Sequence, residues 1–249
     1  MNIDSHCHFD QLFPDEIEKA VFQNIVVAVA TGYESGNKLL EYAGLYQNLK
    51  VCLGIHPEHI QNYDEYDLVE KQIKDNLDKI SGIGEIGLPY FNLENLEESI
   101  KREILEKSKV IFGKFLSLAE QENLAVNLHC IEDSASYAIQ ELKKYNIKKA
   151  LFHWFEGSDT DLKEIIKMKW KISVSPDVLY NEKYRDFVSK IPLEIICLES
   201  DGPWEYNGMR GVPSMVEKSA KILSEIYQVS VFEILEISNK NSADLFSIL

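Results

Sequence analysis

The sequence contains no apolar run approaching the roughly 20 residues that a membrane-spanning helix needs. Its start lacks a basic segment followed by an apolar one, so we expect no signal peptide and predict a cytoplasmic location. No Cys-x-x-Cys pair occurs, because the four cysteines, at positions 7, 52, 130 and 197, are far apart in the sequence. We therefore expect free, reduced thiols and no membrane partner.

Positive charge is also scarce, since 26 basic residues stand against 41 acidic ones for a net charge of −15. A protein that wraps nucleic acid passively needs a basic surface, so the composition argues against that class. An enzyme that acts on nucleic acid is still allowed, because bound metal ions supply local positive charge. No repeat, low-complexity tract or break in composition divides the chain. We predict a single domain over residues 1–249, with no obligate protein partner.

Short apolar segments alternate with amphipathic helical patterns along the whole chain. Each apolar segment is rich in Val, Ile or Leu, as buried parallel strands are. The eight predicted strands are Asn2–His8, Asn24–Ala30, Val51–His56, Gly82–Leu88, Ala125–His129, Ala150–Phe155, Lys171–Ser175 and Ile195–Asp201. The clearest helical pattern spans about residues 95–123, with a capping box predicted from Asn95 and Glu98, and the last spans about 231–238.

Eight strands alternating with helices in 249 residues predict an α/β fold, the (β/α)8 TIM barrel. The alternative is an open, doubly wound sheet. That fold predicts a glycine-rich phosphate loop after the first strand, and the sequence has none there.

Unusual polar residues stand at the C-terminal ends of six predicted strands. They are His6 and His8, His56, Glu85, His129, His153 and Asp201. The C-terminal strand ends of a barrel converge on one face, which holds the active site. A lone histidine in a strand is most often a hydrogen-bonded core residue. Burying a whole set on one rim is costly unless its members are paired or coordinated, so we predict metal ligands.

The chemistry of this set suits divalent cations. Imidazole nitrogen and carboxylate oxygen bind Zn, Mn, Fe or Mg to differing degrees. His-x-His on one strand supplies two neighbouring ligands, and one carboxylate can bridge two ions. Six groups would suffice for two ions with open positions for water.

The motifs resemble the TatD family of metal-dependent hydrolases, within the amidohydrolase superfamily. The resemblance covers the whole chain in order. Its motifs are "DSHCHFD" at Asp4–Asp10, "GIHP" at Gly54–Pro57, "GEIGL" at Gly84–Leu88, His129, "FHWFEGS" at Phe152–Ser158 and "ESDGP" at Glu199–Pro203. Each motif alone is weak, but six in the right order and spacing are very specific.

The resemblance implies a TIM barrel and a divalent-metal phosphodiesterase, since characterised members are often magnesium- or manganese-dependent deoxyribonucleases, several with 3′→5′ exonuclease activity. It also implies a role for each residue: one ion on His6, His8 and Asp201, a second on His129 and His153, Glu85 as the bridge, and His56 facing the substrate phosphate. Pro89 replaces the usual Asp after "GEIGL". Three other residues, Trp154, Glu156 and Trp204, also depart from the family pattern. All four lie on the rim loops, so they bear on which substrate is bound.

Several roles have a plainer alternative. Asp201, together with Glu85, is predicted to be catalytic, with Asp201 as general base; its alternative is a purely structural ligand. Arg210 is a candidate phosphate clamp or simply an exposed arginine. Trp154 and Trp204 either stack on a base or sugar or pack the rim. Glu199 either orients a metal ligand or is an ordinary interior polar residue.

Three functions are therefore open. The leading one is hydrolysis of phosphodiesters, most plausibly DNA ends, by water activated between two divalent ions (Mg, Mn or Zn). The second is hydrolysis of small lactones, amides or phosphoesters on the same barrel. The third is a metal-binding scaffold without turnover, which need not retain a complete ligand set.

Overall fold

The computed structural model of the protein describes residues 1–130 and 134–248. Eight parallel strands form one sheet in the order in which they occur in the sequence, each paired with the next. They are β1 (Asn2–Cys7), β2 (Asn24–Val29), β3 (Leu49–Leu53), β4 (Ile80–Gly87), β5 (Ala125–His129), β6 (Ala150–His153), β7 (Lys171–Val174) and β8 (Ile196–Leu198). All eight predicted strands are confirmed, with ends that shift by a few residues.

Helices connect the strands and cover the outside of the sheet. They are α1 (Pro14–Gln23), α2 (Tyr33–Leu45), α3 (Tyr66–Asp75), α4 (Glu98–Glu122), α5 (Ser134–Lys144), α6 (Asp159–Met168), α7 (Glu182–Val188), α8 (Val216–Tyr227) and α9 (Val231–Phe246). A short hairpin, β9 (Glu205–Tyr206) and β10 (Met209–Arg210), follows β8. Within the described residues, no helix has the length and apolarity to span a membrane.

Hydrogen bonds between the ends of β1 and β8 close the sheet. The amide of Asp201 donates to the carbonyl of His6 at 3.0 Å, and the amide of His8 donates to the carbonyl of Gly202 at 2.7 Å. The Ser5 hydroxyl also donates to the Leu198 carbonyl at 2.9 Å. The predicted (β/α)8 barrel is confirmed, and its closing seam lies where the conspicuous histidines begin.

The interior of the barrel is packed with apolar side chains, and it is plugged at the end opposite the histidines. The cluster contains Ile3, Val27, Val29, Cys52, Ala125, Leu151, Cys197, Leu245 and Phe246. Its last two members come from the C-terminal turns of α9. The sequence pattern predicts an end near residue 238, but the helix continues to Phe246 and so supplies the plug.

Two predicted boundaries are wrong for local reasons. The capping box of Asn95 and Glu98 does not form, because the amide of Leu96 still bonds the Leu93 carbonyl in a turn, and α4 begins at Glu98 with no side-chain cap. The eighth strand ends at Leu198 rather than Asp201, since Asp201 has a φ of 45°. That left-handed conformation cannot continue a strand.

Candidate metal centre

Four side chains gather their ligand atoms at the C-terminal end of the barrel. His6 Nε2 lies 3.4 Å from Glu85 Oε2 and 3.5 Å from Asp201 Oδ1. His8 Nε2 lies at the same two distances, 3.4 and 3.5 Å, from the same oxygens. His6 lies near the end of β1, and His8 follows it by two residues. Glu85 lies near the end of β4, and Asp201 follows β8. We call this set the first ligand cluster.

The other oxygen of Glu85 faces a second ligand cluster. Glu85 Oε1 lies 2.8 Å from His129 Nδ1 and 3.0 Å from His153 Nε2. The two imidazole nitrogens are 3.2 Å apart. Glu85 therefore stands between two groups of histidines, with one oxygen toward each.

The residues of both clusters fit a pair of divalent cations. Ligand atoms about 2.1 Å from a shared ion in tetrahedral or octahedral geometry lie roughly 3.0–3.4 Å from one another, close to the spacings observed. His6 Nε2 and Glu85 Oε2 are buried and have no hydrogen-bond partner among residues 1–130 and 134–248. Unpaired buried polar atoms are costly, and a cation between them would remove that cost. Three overlapping sets have the spacing of metal ligands: His6 with Glu85 and His153, His6 with His8 and Asp201, and His8 with His56 and Glu85.

The electrostatics of the clusters follow from burying so many ionisable groups together. Burial acts to raise the pKa of Glu85, but the imidazoles of His56, His153 and His6 outweigh it and hold that pKa well below its ordinary value. Burial acts to lower the pKa of His153, but the carboxylates of Glu85 and Glu199 raise it well above its ordinary value. The centre thus keeps a carboxylate ionised in the barrel interior.

Burial has the opposite result on two further ligands. It lowers the pKa of His8 to about 3, so this imidazole is neutral with a lone pair to offer. It raises the pKa of Asp201 to about 7. Asp201 is 6% exposed and lies beside the cavity, so its protonation state can respond to what binds there.

Neighbouring side chains orient the histidines. Asn127 donates its amide N–H to the Ser5 carbonyl at 3.2 Å, which directs its oxygen to His6 Nδ1 at 2.9 Å. His6 Nδ1 must therefore carry the proton, leaving a lone pair on Nε2 toward the cluster. On the other side, Glu199 Oε1 lies 3.5 Å from His153 Nδ1, and Ser173 donates to Glu199 Oε2 at 2.5 Å.

Asp4 does not join its neighbours on the strand. Regular alternation predicts that Asp4, His6 and His8 share one face, but the pairing of β1 with β2 shifts register between Asp4 and Cys7. The Asp4 carboxylate instead accepts from the Ser200 amide at 2.9 Å and from its hydroxyl at 2.5 Å. It supports the segment that leads into Asp201.

Glycines allow β4 to approach β5 closely and so place Glu85 among the histidines. A Cβ at Gly84 would lie 2.7 Å from Asn127 Cβ, and a Cβ at Gly87 would collide with the His129 carbonyl oxygen. Only glycine permits this spacing of the two backbones on either side of Glu85.

A cavity of about 730 Å³ opens directly above the clusters. His56 is in its lining, with Nε2 at 3.3 Å from Glu85 Oε2. The amide of Glu58 donates to His56 Nδ1 at 3.1 Å, and burial lowers the pKa of His56 well below its ordinary value. This neutral ring therefore carries its proton on Nε2 and donates from that atom, although His56 also has the spacing of a metal ligand with His8 and Glu85.

The three other predicted substrate contacts have different surroundings. Trp154 and Trp204 line the cavity, with ring centroids 6.0 Å apart. Arg210 does not belong to that lining: its Nε lies 3.2 Å from Glu16 Oε2, and its Nη2 donates to the Gln11 carbonyl at 2.9 Å. Its guanidinium is also 4.3 Å from the centre of the Phe13 ring. These contacts place the group outside the cavity lining and give no support to a phosphate clamp, which stays a prediction.

Sequence reasoning missed Asn127 and Glu58. Asn127 is an amide inside the apolar strand "AVNLH", two residues before His129, and that isolated polarity was an available signal. Glu58 lines the cavity, and its carboxylate accepts from the amides of Phe91 and Asn92 at 3.0 and 2.9 Å, as well as from Tyr90. No local pattern reveals contacts to residues more than 30 positions away.

Known proteins similar to this chain match most or all of its length. An uncharacterised metal-dependent hydrolase of Haemophilus influenzae is 30% identical over 216 residues, covering 84% of this chain and 83% of that protein. The human deoxyribonuclease TATDN3 is 27% identical over 265 residues, covering 98% and 94%. The crystal structure of YjjV, a TatD homologue from Escherichia coli, superposes with a TM-score of 0.85 at 24% identity, covering 100% and 98%.

The sequence model of the TatD-related DNases matches residues 3–247, which include every ligand of both clusters. The match extends over nearly the whole barrel, and the resemblance stated from the motifs is confirmed. This chain therefore belongs to the family of TatD-related DNases.

Proposed function

We propose that this protein is a hydrolase of phosphodiester bonds that acts at the ends of DNA, in the manner of a 3′→5′ exonuclease, with two divalent ions at its centre. The observation that carries the proposal is the position of Glu85. One of its oxygens faces His6 and His8 at 3.4 Å, and the other faces His129 and His153 at 2.8 and 3.0 Å. A carboxylate so placed suits a bridge between two cations.

His6, His8 and Asp201 would hold one ion, and His129 and His153 would hold the other, with Glu85 shared. Mg, Mn or Zn suits these oxygen and nitrogen donors to differing degrees. When bound, such ions lower the pKa of water toward neutrality and offset the negative charge of a phosphate. The whole chain, residues 1–249, would act as one domain around this centre.

The side chains supply the proton transfers. Asp201 lines the cavity beside His6 and His8, a position that suits a general base acting on water at the centre. It would accept a proton from water as the water oxygen bonds to phosphorus and the bond from phosphorus to the leaving sugar oxygen breaks, and the leaving oxygen would take up a proton from solvent. His56 would donate its Nε2 proton in a hydrogen bond to a non-bridging oxygen. Glu85, ionised in the barrel interior, would face both ligand clusters and so help to position water and phosphate between them.

The nature of the relatives supports a DNA substrate, since the human relative is a deoxyribonuclease and the family is described as TatD-related DNases. A second candidate is hydrolysis of small esters, amides or lactones on the same barrel. It is favoured by one observation: the described residues that line the cavity include neither lysine nor arginine. A polyanion would find few cationic partners there.

The proposal is tested by removing metal with a chelator, reloading with Mg, Mn or Zn, and offering a panel of substrates. End-labelled single-stranded DNA should give a ladder of products shortened from the 3′ end, and only after reloading. Asp201→Asn, assayed at a metal concentration that saturates the variant, should lower kcat by about 10²–10⁴-fold. Asp159→Asn, an exposed acid on α6, is the matched control and should keep wild-type activity.

Two results would overturn the proposal. Hydrolysis of esters, amides or lactones with no cleavage of any diester would favour the second candidate. Wild-type turnover by Asp201→Asn would remove its role as base.

A further inference from the structure

An aromatic wall stands beside the metal ligands. Trp154 directly follows His153, and Trp204 follows Asp201 by three residues, so each tryptophan is close in sequence to one ligand cluster. The two rings meet edge to face at 72°, and Trp154 also packs on Tyr206 with centroids 5.5 Å apart. Both indoles line the cavity.

The wall is held in place although one of its two indoles is exposed. Tyr206 is buried and donates its hydroxyl to the Ser200 carbonyl at 3.1 Å, which fixes the ring behind Trp154. The amide of Trp204 donates to the Asp201 carbonyl at 2.8 Å. Trp204 nevertheless remains 53% exposed. A rigid backbone with an exposed indole is the arrangement of a stacking surface rather than of a packed core residue.

Trp154 also has an unusual backbone conformation, which indicates that its surroundings constrain this position. Its φ is 38°, in the left-handed region that bulky residues rarely occupy. Such conformations persist where the surrounding structure over-determines them, and they concentrate at ligand sites. Here the consequence is that the indole stands in the cavity lining next to His153.

The rest of the lining is poor in groups that bind a phosphate backbone. Among the described residues of the lining, the fixed charges are the carboxylates of Glu58, Glu85, Glu156 and Asp201, with no lysine or arginine. The cavity volume of about 730 Å³ lies within the range of small-molecule sites, roughly 300–1,000 Å³. The space therefore suits one or two nucleotides and offers no track of cations for a longer chain.

We propose that Trp154 and Trp204 form a subsite for the nucleobase of a single terminal nucleotide, and that base stacking rather than contact with a long phosphate backbone selects the substrate. This inference rests on the proposed phosphodiesterase function and specifies its substrate. It implies that a short diester carrying one base is as good a substrate as a long strand.

The first test compares two diesters with the same leaving group: thymidine 5′-(p-nitrophenyl) phosphate, which carries a base, and methyl p-nitrophenyl phosphate, which does not. Stacking on an aromatic side chain predicts that kcat/KM is about tenfold or more higher for the thymidine ester. Trp204→Leu should bring this ratio close to one, mainly through KM, and Trp204→Phe should restore part of it. Phe22→Leu, at an exposed aromatic on α1, is the matched control and should keep the wild-type ratio.

A second measurement does not depend on turnover. Thymidine 5′-monophosphate, added to the magnesium-loaded protein, should quench tryptophan fluorescence, and inorganic phosphate should not. Trp204→Leu should abolish most of the quench and should still melt at the wild-type temperature within a few degrees.

The outcomes separate the two proposals. If neither diester is cleaved but the nucleotide quenches the fluorescence of the wild type and not that of Trp204→Leu, the phosphodiesterase function fails and the base subsite stands. If both diesters are cleaved equally well, or Trp204→Leu keeps the wild-type ratio, the base subsite is overturned and the function stands. Absence of quenching at millimolar nucleotide would also overturn the subsite.

Chain length gives a third criterion. If only about one phosphate contact depends on fixed charge, raising salt from 50 to 200 mM should weaken substrate binding about threefold for a single strand. A dinucleotide and a 20-nucleotide oligonucleotide should then have kcat/KM values within about threefold of each other. A tenfold or larger advantage of the long strand would contradict the inference.

Discussion

At the scale of single residues, the first ligand cluster depends on an uncharged neighbour. Asn127 is fully buried, and the hydrogen bond of its oxygen to His6 Nδ1 decides which nitrogen of that ring has a free lone pair. Partners of this kind fix both the tautomer and the orientation of a metal-binding imidazole. The amide should therefore influence metal affinity through His6, although it would not itself bind an ion.

Replacing this amide should weaken metal binding. Asn127→Leu keeps the approximate volume but removes both hydrogen bonds, so we expect manganese affinity to fall about 10–100-fold. Isothermal titration calorimetry measures it directly. Asn241→Leu is the matched control, because Asn241 donates to the Ile196 carbonyl at 2.7 Å and accepts from Lys171, away from the ligands. An Asn127→Leu protein that binds manganese like the wild type would contradict the role assigned to Asn127.

Metal binding should also depend on pH through Asp201. Burial raises its pKa to about 7, so below pH 7 the metal-free protein holds a proton on a group that binds cations only when ionised. Binding must expel this proton, and through Asp201 alone the manganese dissociation constant should fall about eightfold as pH rises from 5.5 to 6.5. Calorimetric titrations at several pH values and constant ionic strength measure this slope. An affinity that is flat across this range would be inconsistent with Asp201 as a ligand.

The sequence could predict the candidate ligands because each is a polar residue at the end of an apolar strand, such as His129 after "AVNL". It could not predict that Asp4 would turn toward Ser200, since the register shift in β1 arises from pairing with β2. Nor could it predict that Arg210 would be occupied by Glu16, which is 194 positions away. Side-chain partners of this kind are set by tertiary packing rather than by local pattern.

At the scale of elements, one carboxylate organises the loop after β4. Glu58 accepts hydrogen bonds from three consecutive amides, those of Tyr90, Phe91 and Asn92. Asn92 in turn donates its side-chain amide to the Glu58 carbonyl. Phe91, which is 55% exposed, is thereby held in the cavity lining.

Glu58→Gln should loosen this loop. A neutral amide has one acceptor oxygen in place of two and presents an NH₂ group to a backbone amide, so one of the three bonds must be lost. We expect hydrogen exchange of the peptide covering residues 88–97 to accelerate about tenfold, measured by mass spectrometry, with unchanged exchange in β6. Glu18→Gln, at an exposed position on α1, should leave this peptide as in the wild type. Unaltered protection in Glu58→Gln would show that the carboxylate does not hold the loop.

Element types were easier to predict than element ends. The alternation of apolar strands and amphipathic helices is a property of each segment and identified all eight strands. The start of α4 depends on the turn at Leu93–Leu96, and the end of β8 depends on the conformation of Asp201. The hairpin of β9 and β10 has two-residue strands, which are too short to produce a periodic pattern.

At the scale of the whole molecule, the barrel separates stability from chemistry. The candidate ligands lie at the C-terminal ends of the strands, and the opposite end is plugged by Leu245 and Phe246 of α9. In barrels of this kind, residues at the plugged end serve folding rather than catalysis. The two ends should therefore respond to mutation in different ways.

Phe246→Ala should test this separation. Phe246 is 1% exposed, and truncating a buried phenylalanine costs about 3–5 kcal/mol in the free energy of unfolding. Urea denaturation of the metal-free protein measures the loss, and manganese affinity at 25 °C should stay within about twofold of the wild type. Phe232→Ala, at a residue 74% exposed on the same helix, should cost less than about 0.5 kcal/mol. A Phe246→Ala protein with wild-type stability and impaired metal binding would contradict the assignment of the plugged end to stability alone.

The central claim is that Glu85 bridges two cations, and anomalous scattering from crystals soaked in manganese tests it most directly. The account predicts two peaks flanking the Glu85 carboxylate, one among His6, His8 and Asp201 and the other between His129 and His153. No peak among these side chains, or a peak only elsewhere on the molecule, would contradict it.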